Sequence, residues 1–129
     1  MEAIEVMKKC KKFVVIGLKN DPEKYVYKIY QRLLKSGYET YGVSSYIEEL
    51  DGRKIYQKLS DLPILPEVAV FVVAPKNGYA YLKECKQLNI PYLWMQPGTY
   101  DDEFLKVLDE EEFTYYLNCV LRRLDDLEK

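Results

Sequence analysis

Phe13-Val14-Val15-Ile16-Gly17-Leu18-Lys19-Asn20-Asp21-Pro22 decides how the rest of the chain is read. It opens with a continuous apolar run closed by glycine. Such a run suits a strand buried on both faces, as parallel sheets require. The polar turn beyond it reaches Lys24, and Asp21-Pro22 predicts a helix start with Asp21 as N-cap and proline in the first turn. Val26, Ile29, Tyr30, Leu33 and Leu34 then recur on one helical face, and Gly37 closes that helix as a left-handed cap.

The same alternation continues outward. Residues 38–43 predict a second strand, with Ser44 and Ser45 just beyond its end. A polar connection follows, with Asp51-Gly52 as a turn and Ile55-Tyr56 as a minor strand or extended piece. Residues 68–74 form the strongest apolar run, which Pro75 ends, and Tyr81, Leu82, Cys85 and Leu88 mark the next helix. Residues 91–95 predict a strand leaving through Gln96-Pro97-Gly98. Asp101, Asp102 and Glu103 then put acids where a helix dipole favours them. A last strand at 114–117 precedes a closing helix carrying Val120, Leu121, Leu124 and Leu127. Strand and helix in regular succession predict an α/β fold: a Rossmann-like, doubly wound parallel sheet of about five strands, with helices on both faces and right-handed crossovers. One domain over residues 1–129 is expected, with its core at 12–119 and a C-terminal helix at 120–129.

Composition narrows the function. Nineteen basic residues against twenty-one acidic ones give a net charge of -2, so a basic footprint for nucleic acid is missing. No run approaches the ~20 apolar residues that cross a bilayer. The start, from Met1 to Lys9, has early acids and no apolar signal core, so no secretory leader is expected. Cys10, Cys85 and Cys119 are odd in number and widely spaced, which suits reduced thiols in a cytoplasm. The sequence has no histidine. That absence removes Ser-His-Asp and Cys-His catalysis, histidine-ligated metals and phosphohistidine chemistry.

In open parallel sheets, ligands bind beyond the carboxyl ends of the strands, where strand order reverses. Four strand ends therefore matter: Gly17-Leu18-Lys19-Asn20, Val43-Ser44-Ser45, Val73-Ala74-Pro75 and Met95-Gln96-Pro97-Gly98. A helix start behind Gly17 would offer free amides to a phosphate, with Lys19 and Lys24 adding charge. Gly17 stands alone, without the GxGxxG spacing of dinucleotide folds, and it equally permits a tight strand-to-helix turn. The second strand ends in Val43, Ser44 and Ser45, not in the acid that NAD sites place there to hold the ribose, so NAD is disfavoured.

With these pieces in order, the chain resembles the small stand-alone CoA-binding proteins related to the CoA-binding domain of the succinyl-CoA synthetase alpha subunit. The resemblance rests on Val14-Val15-Ile16-Gly17-Leu18 with Pro22, then on Leu33-Leu34-Lys35-Ser36-Gly37-Tyr38-Glu39-Thr40-Tyr41-Gly42-Val43. It continues through Gly52-Arg53-Lys54-Ile55-Tyr56 and Leu59-Ser60-Asp61-Leu62-Pro63 to Leu93-Trp94-Met95-Gln96-Pro97-Gly98 and Cys119. It implies a Rossmann-like sheet binding the ADP part of coenzyme A or an acyl-CoA across its strand ends. Gly17, Leu18, Lys19 and Asn20 would face the phosphates, Val43, Ser44 and Ser45 would lie near the adenosine, and Ala74 and Pro75 would form a wall. Gln96, Pro97 and Gly98 would border the pantetheine. The chain departs from the family in having Lys19 and Val26 where serines are common, Ser44-Ser45 for an Asn-Pro, and Val120 for a proline.

The expected function is a non-catalytic, cytoplasmic CoA or acyl-CoA binding protein. Its ligand is a small nucleotide, not nucleic acid or membrane, and its partner a second copy or an enzyme. Two rivals stand beside it: a regulatory or scaffold protein with a degenerate nucleotide site, and an accessory subunit of an enzyme acting on CoA thioesters. Other residues have plainer explanations. Cys119 is expected as a small buried hydrophobe, and Glu110-Glu111-Glu112 as a solvated helix end. Some of the thirteen tyrosines must cover core or an interface.

Overall fold

The computed structural model describes residues 1–128. In chain order they form α1 (Ala3–Lys9), β1 (Lys12–Ile16), α2 (Tyr25–Lys35), β2 (Glu39–Val43), β3 (Glu49–Leu50) and β4 (Arg53–Lys54). A 3-10 turn (Leu59–Asp61) leads to β5 (Val68–Phe71), α3 (Pro75–Leu88), β6 (Tyr92–Met95), α4 (Asp102–Glu110), β7 (Tyr115–Leu117) and α5 (Val120–Leu127). Lys129, the end of the expected closing helix, lies outside the described residues.

Five strands pair in the order β2-β1-β5-β6-β7, all parallel. The chain steps from β1 outward to β2, crosses back to β5 on the other side of β1, and then moves steadily away. Strand order therefore reverses between β1 and β5, which is where a ligand crevice forms in such sheets. The doubly wound α/β architecture is the one expected.

Alternate side chains of each strand serve opposite faces. Phe13, Val15, Val68, Val70 and Trp94 pack with residues of α1, α2 and α5, among them Val6, Ile29, Leu33 and Leu124. Val14, Ile16, Ala69, Phe71, Leu93 and Met95 pack with Leu82 and Cys85 of α3 and with Phe104 and Leu108 of α4. A fully buried aliphatic or aromatic side chain contributes about 1.5–3 kcal/mol. Both faces of the central strands are lined in this way, so burial outweighs the propensity of any single helix. All three cysteines are free. Burial raises the thiol pKa of both Cys85 and Cys10, which keeps them unreactive.

Four local features differ from expectation. α1 was not foreseen; its buried Ala3, Val6 and Met7 dock on the face that α5 also covers. α2 begins at Tyr25 with Lys24 as N-cap, not at Asp21. Asp21-Pro22 instead closes a turn of its own: Glu23 N donates to Asp21 Oδ1 at 3.0 Å and Lys24 N to Asp21 O at 3.1 Å. β5 ends at Phe71, because its neighbour β1 ends at Ile16 and the last rung is Val72 N to Ile16 O at 3.0 Å. The minor strand is a small hairpin, β3 with β4, turning through Asp51-Gly52, and Tyr56 then bridges to Val43 at the edge of the main sheet. Among the described residues no helix is long and apolar enough to cross a membrane.

The turn after β1 shows why its glycine is needed. Gly17 has φ +107°, and a Cβ there would stand 2.5 Å from Val72 O and 2.6 Å from Val73 Cγ1. Both backbone shape and close packing exclude a side chain. Gly17→Ala should cost about 2–4 kcal/mol of stability in denaturant titration. A cost below about 0.5 kcal/mol would contradict the close approach.

The C-terminal helix is tied down by charge. Ser36 Oγ donates to Glu128 Oε1 at 2.7 Å, and Arg32 Nη2 donates to Glu128 Oε2 at 2.6 Å and to Asp125 Oδ1 at 2.8 Å. The Ser36 bond first, and Arg32 second, hold Glu128 below the usual carboxylate range. A carboxylate whose folded pKa is depressed stabilises fully above its unfolded pKa, and loses that contribution as pH falls through the folded value. Acidification below the ordinary glutamate range should therefore lower hydrogen-exchange protection in α5 before β1 responds. Ser36→Ala should bring that loss on at higher pH; simultaneous loss in α5 and β1 would show that this clamp does not set the helix's stability.

Candidate functional site

Two hollows open at the carboxyl ends of the central strands and share Val72 as a wall. The smaller, about 350 Å³, is bounded by Gly17, Lys19, Ser45, Tyr46, Val73, Ala74, Asn77, Ala80 and Tyr81. The larger, about 560 Å³, is bounded by Tyr25, Gln96, Pro97, Asn118, Cys119, Arg122 and Arg123.

The smaller hollow sits where β1 and β5 end side by side. Gly17 borders it at the end of β1, packed against Val72 and Val73. Lys19 is exposed, with its ammonium 5.2 Å from the centre of the Tyr46 ring. That ring is 70% exposed, which leaves a face open for stacking. On the far side α3 starts at Pro75 with Ala74 as N-cap, no acid in the first turn and no side-chain cap. Asn77 lies in that turn, so the rim combines a helix start with a lysine, a combination suited to an anion. Tyr81 has its phenol pKa raised by burial, against the opposing effect of a hydrogen bond with Ser45.

Beneath this rim the polar groups are already paired. Gly17 N and Leu18 N both donate to Val43 O, at 2.9 and 3.3 Å, so these amides are not the free donors expected for a phosphate. Ser44 is fully buried; its hydroxyl donates to Leu18 O at 2.6 Å and accepts from Tyr46 N at 2.9 Å and Ile47 N at 3.3 Å. Leu18 and Val43 are likewise fully buried. The chemistry available to a ligand has therefore moved outward, from the backbone of the first turn to the side chain of Lys19 and the start of α3.

The larger hollow is organised by Trp94 and Gln96. The buried Trp94 Nε1 donates to Gln96 Oε1 at 3.1 Å and to Asn118 O at 3.0 Å. Gln96 Oε1 also accepts from Val120 N at 2.7 Å, and so caps the first turn of α5. One carboxamide thus holds the tip of β6 to the start of the last helix. Behind it, Gly98 at φ +88° lets the chain turn through Pro97, so that Thr99 donates its N–H and its hydroxyl to Gln96 O at 3.2 and 2.7 Å.

Of the residues singled out in the sequence, Gly17, Lys19, Ser45 and Ala74 meet around the smaller hollow, and Gln96 and Pro97 border the larger. Asn20, Lys24, Pro75 and Gly98 line neither hollow, and Leu18, Val43 and Ser44 act from beneath. Val26 is only 5% exposed and faces the core, whereas Tyr25 is 70% exposed and borders the larger hollow without filling it. Tyr46, Asn77, Tyr81, Asn118, Arg122 and Arg123 were not singled out. The carboxyl-end rule, extended to β7, reaches Asn118 and Cys119, and the two arginines follow in the next turn.

Comparison with known proteins gives the family and the same fold. A model described as the CoA binding domain matches residues 11–125. A hypothetical protein from Pyrococcus horikoshii OT3 has a TM-score of 0.88 at 30% identity, over 97% of this chain and 89% of that one. The alpha subunit of an ADP-forming acetate–CoA ligase II from Pyrococcus furiosus is 32% identical over 77 residues, covering 59% of this chain and 17% of the subunit. This chain thus spans only a minor part of that enzyme subunit's length. The dinucleotide-forming acetyl-coenzyme A synthetase 1 of Ca. Korarchaeum cryptofilum shares the fold, with a TM-score of 0.75 at 22% identity over 89% of this chain and 27% of that one. Matched over residues 11–125 by the family model, the chain belongs to the CoA-binding domain family.

Proposed function

We propose that this chain is a non-catalytic, cytoplasmic binding protein for coenzyme A or an acyl-CoA, held across the two hollows. The strongest support is that these hollows meet at Val72, at the point where strand order reverses. Cavities of about 350 and 560 Å³ are in the usual range for small-molecule sites.

The donor set suits the ligand's ADP end. Lys19 and the acid-free first turn of α3, with Asn77, offer positive potential to a diphosphate. The exposed Tyr46 ring beside Ser45 offers a stacking face to adenine. From there a pantetheine arm would pass Val72 toward Gln96 and Pro97, bringing the sulfur end near Asn118 and Cys119. NAD fits less well, since the end of β2 offers no carboxylate and the Ser44 hydroxyl is engaged inside the turn. Catalysis is disfavoured because the chain has no histidine to activate Cys119 or carry a phosphoryl group.

A second reading has its own observation. The amides of Gly17 and Leu18 are engaged by Val43, and such a loss of phosphate donors suits a regulatory or scaffold protein with a degenerate site. A third, an accessory role beside an enzyme of CoA thioesters or in a homo-oligomer, draws on the likeness to a ligase subunit.

Thermal shift and calorimetry with CoA, acetyl-CoA, ADP and NAD separate these readings. CoA and acetyl-CoA should stabilise the protein by about 2.7 kcal/mol when present at ~100 times their Kd. ADP should act more weakly and NAD not at all. Lys19→Glu should weaken CoA binding about tenfold by reversing the charge at the phosphates. Silence from every nucleotide would favour the scaffold reading, and tighter binding of NAD than of CoA would reject the proposal.

A further inference from the structure

We propose that the larger hollow selects CoA thioesters whose acyl group ends in a carboxylate. This rests on the CoA-binding reading above and adds the acyl class to it.

α5 carries its charges against its own dipole. Its first turn contains no acid but leads straight into Arg122 and Arg123, while Asp125, Asp126 and Glu128 stand at its far end. Helix dipoles favour the opposite order. The acids have explanations inside the fold. Asp125 and Glu128 bind Arg32 at 2.8 and 2.6 Å, and Asp126 takes Arg123 Nη2 at 3.0 Å.

The arginines are less well accounted for. Arg123 Nε is buried without a hydrogen-bond partner, and Arg122 makes no ion pair among the described residues. Both residues border the cavity of about 560 Å³, whose remaining lining residues include no carboxylate. Arg122 is exposed, so the cavity is bordered by a cation with no carboxylate partner among the described residues. A planar guanidinium is the side chain best matched to a carboxylate, which it can bind through two parallel hydrogen bonds.

Position decides which anion this is. The phosphates of CoA have their cations across Val72, at Lys19 and the start of α3. The arginines border the same hollow as Gln96 and Pro97, the residues that the CoA-binding reading places along the pantetheine arm. A negative charge arriving there belongs to the acyl group. The cavity then presents the apolar surfaces of Tyr25 and Pro97 to the thioester chain, and a cationic end wall to its tip.

Calorimetry on the intact protein tests this with matched probes. Malonyl-CoA and isovaleryl-CoA have nearly the same shape and differ chiefly in terminal charge, and glutaryl-CoA extends the length. At least one of the two charged thioesters should bind about tenfold or more tightly than isovaleryl-CoA. That preference should shrink as salt rises. In Arg123→Gln, and separately in the exposed Arg122→Gln, it should fall to about twofold or less; Arg123→Lys should keep part of it. Equal binding of charged and neutral thioesters, with CoA itself still bound, would overturn this inference alone. So would arginine variants that weaken CoA and malonyl-CoA by the same factor and leave the preference intact, since the arginines would then serve the phosphates. Failure to bind CoA in any form would overturn the CoA-binding reading and this inference together.

Discussion

β1 and β5 run side by side and then part, and Gly17 is the residue that lets them. Its missing side chain allows the Val72 carbonyl oxygen to lie only 2.5 Å from where a Cβ would stand. Behind that contact, Val43 O takes both the Gly17 and Leu18 amides, which locks the ends of β1 and β2 together. In front of it the chain segments diverge toward α2 and α3. A crevice is the geometric result of connections leaving a parallel sheet on opposite faces. Everything proposed about ligand binding depends on that divergence being held open.

The same economy of polar groups runs through the rest of the crevice. Ser44 satisfies three partners beneath the smaller hollow, and Gln96 joins Trp94, Val120 and Thr99 beneath the larger. Buried polar networks are costly when half satisfied and rigid when complete. These are nearly complete, so they act as a frame, and the groups left to meet a ligand stand above it on the rim. Lys19, Tyr46 and Asn77 edge one side, Arg122 and Arg123 the other. The rim is therefore where binding chemistry can change without disturbing the sheet.

Much of this was legible in the sequence, for physical reasons. The buried runs in β1 and β5 have no polar alternation, which only a sheet covered on both faces permits, and the helical stripes between them settled the layering. That Gly17, Lys19, Ser45, Ala74, Gln96 and Pro97 border the hollows follows from their place at strand ends, which are local features of the sequence. Other aspects depend on distant contacts. Ser44 looks like a surface serine until Leu18 folds over it, and α1 is a helix chiefly because Val6 and Met7 find the face shared with α5. Asp21-Pro22 carries a helix-start signal, yet it closes its own turn and leaves the N-cap to Lys24. Arg122 and Arg123 carry no signal of their own, since nothing in the sequence says that their helix starts against the tip of β6.

The central claim is that one ligand spans both hollows, over the switch point of the sheet. An amide-resolved NMR titration of the protein with coenzyme A addresses it most directly. The account predicts shifts concentrated in two groups, near Lys19, Ser45, Tyr46 and Asn77 and near Gln96, Asn118 and Cys119, linked through Val72 and saturating with one Kd. Shifts confined to the opposite edge of the sheet, or to only one hollow with the other silent at saturation, would contradict it.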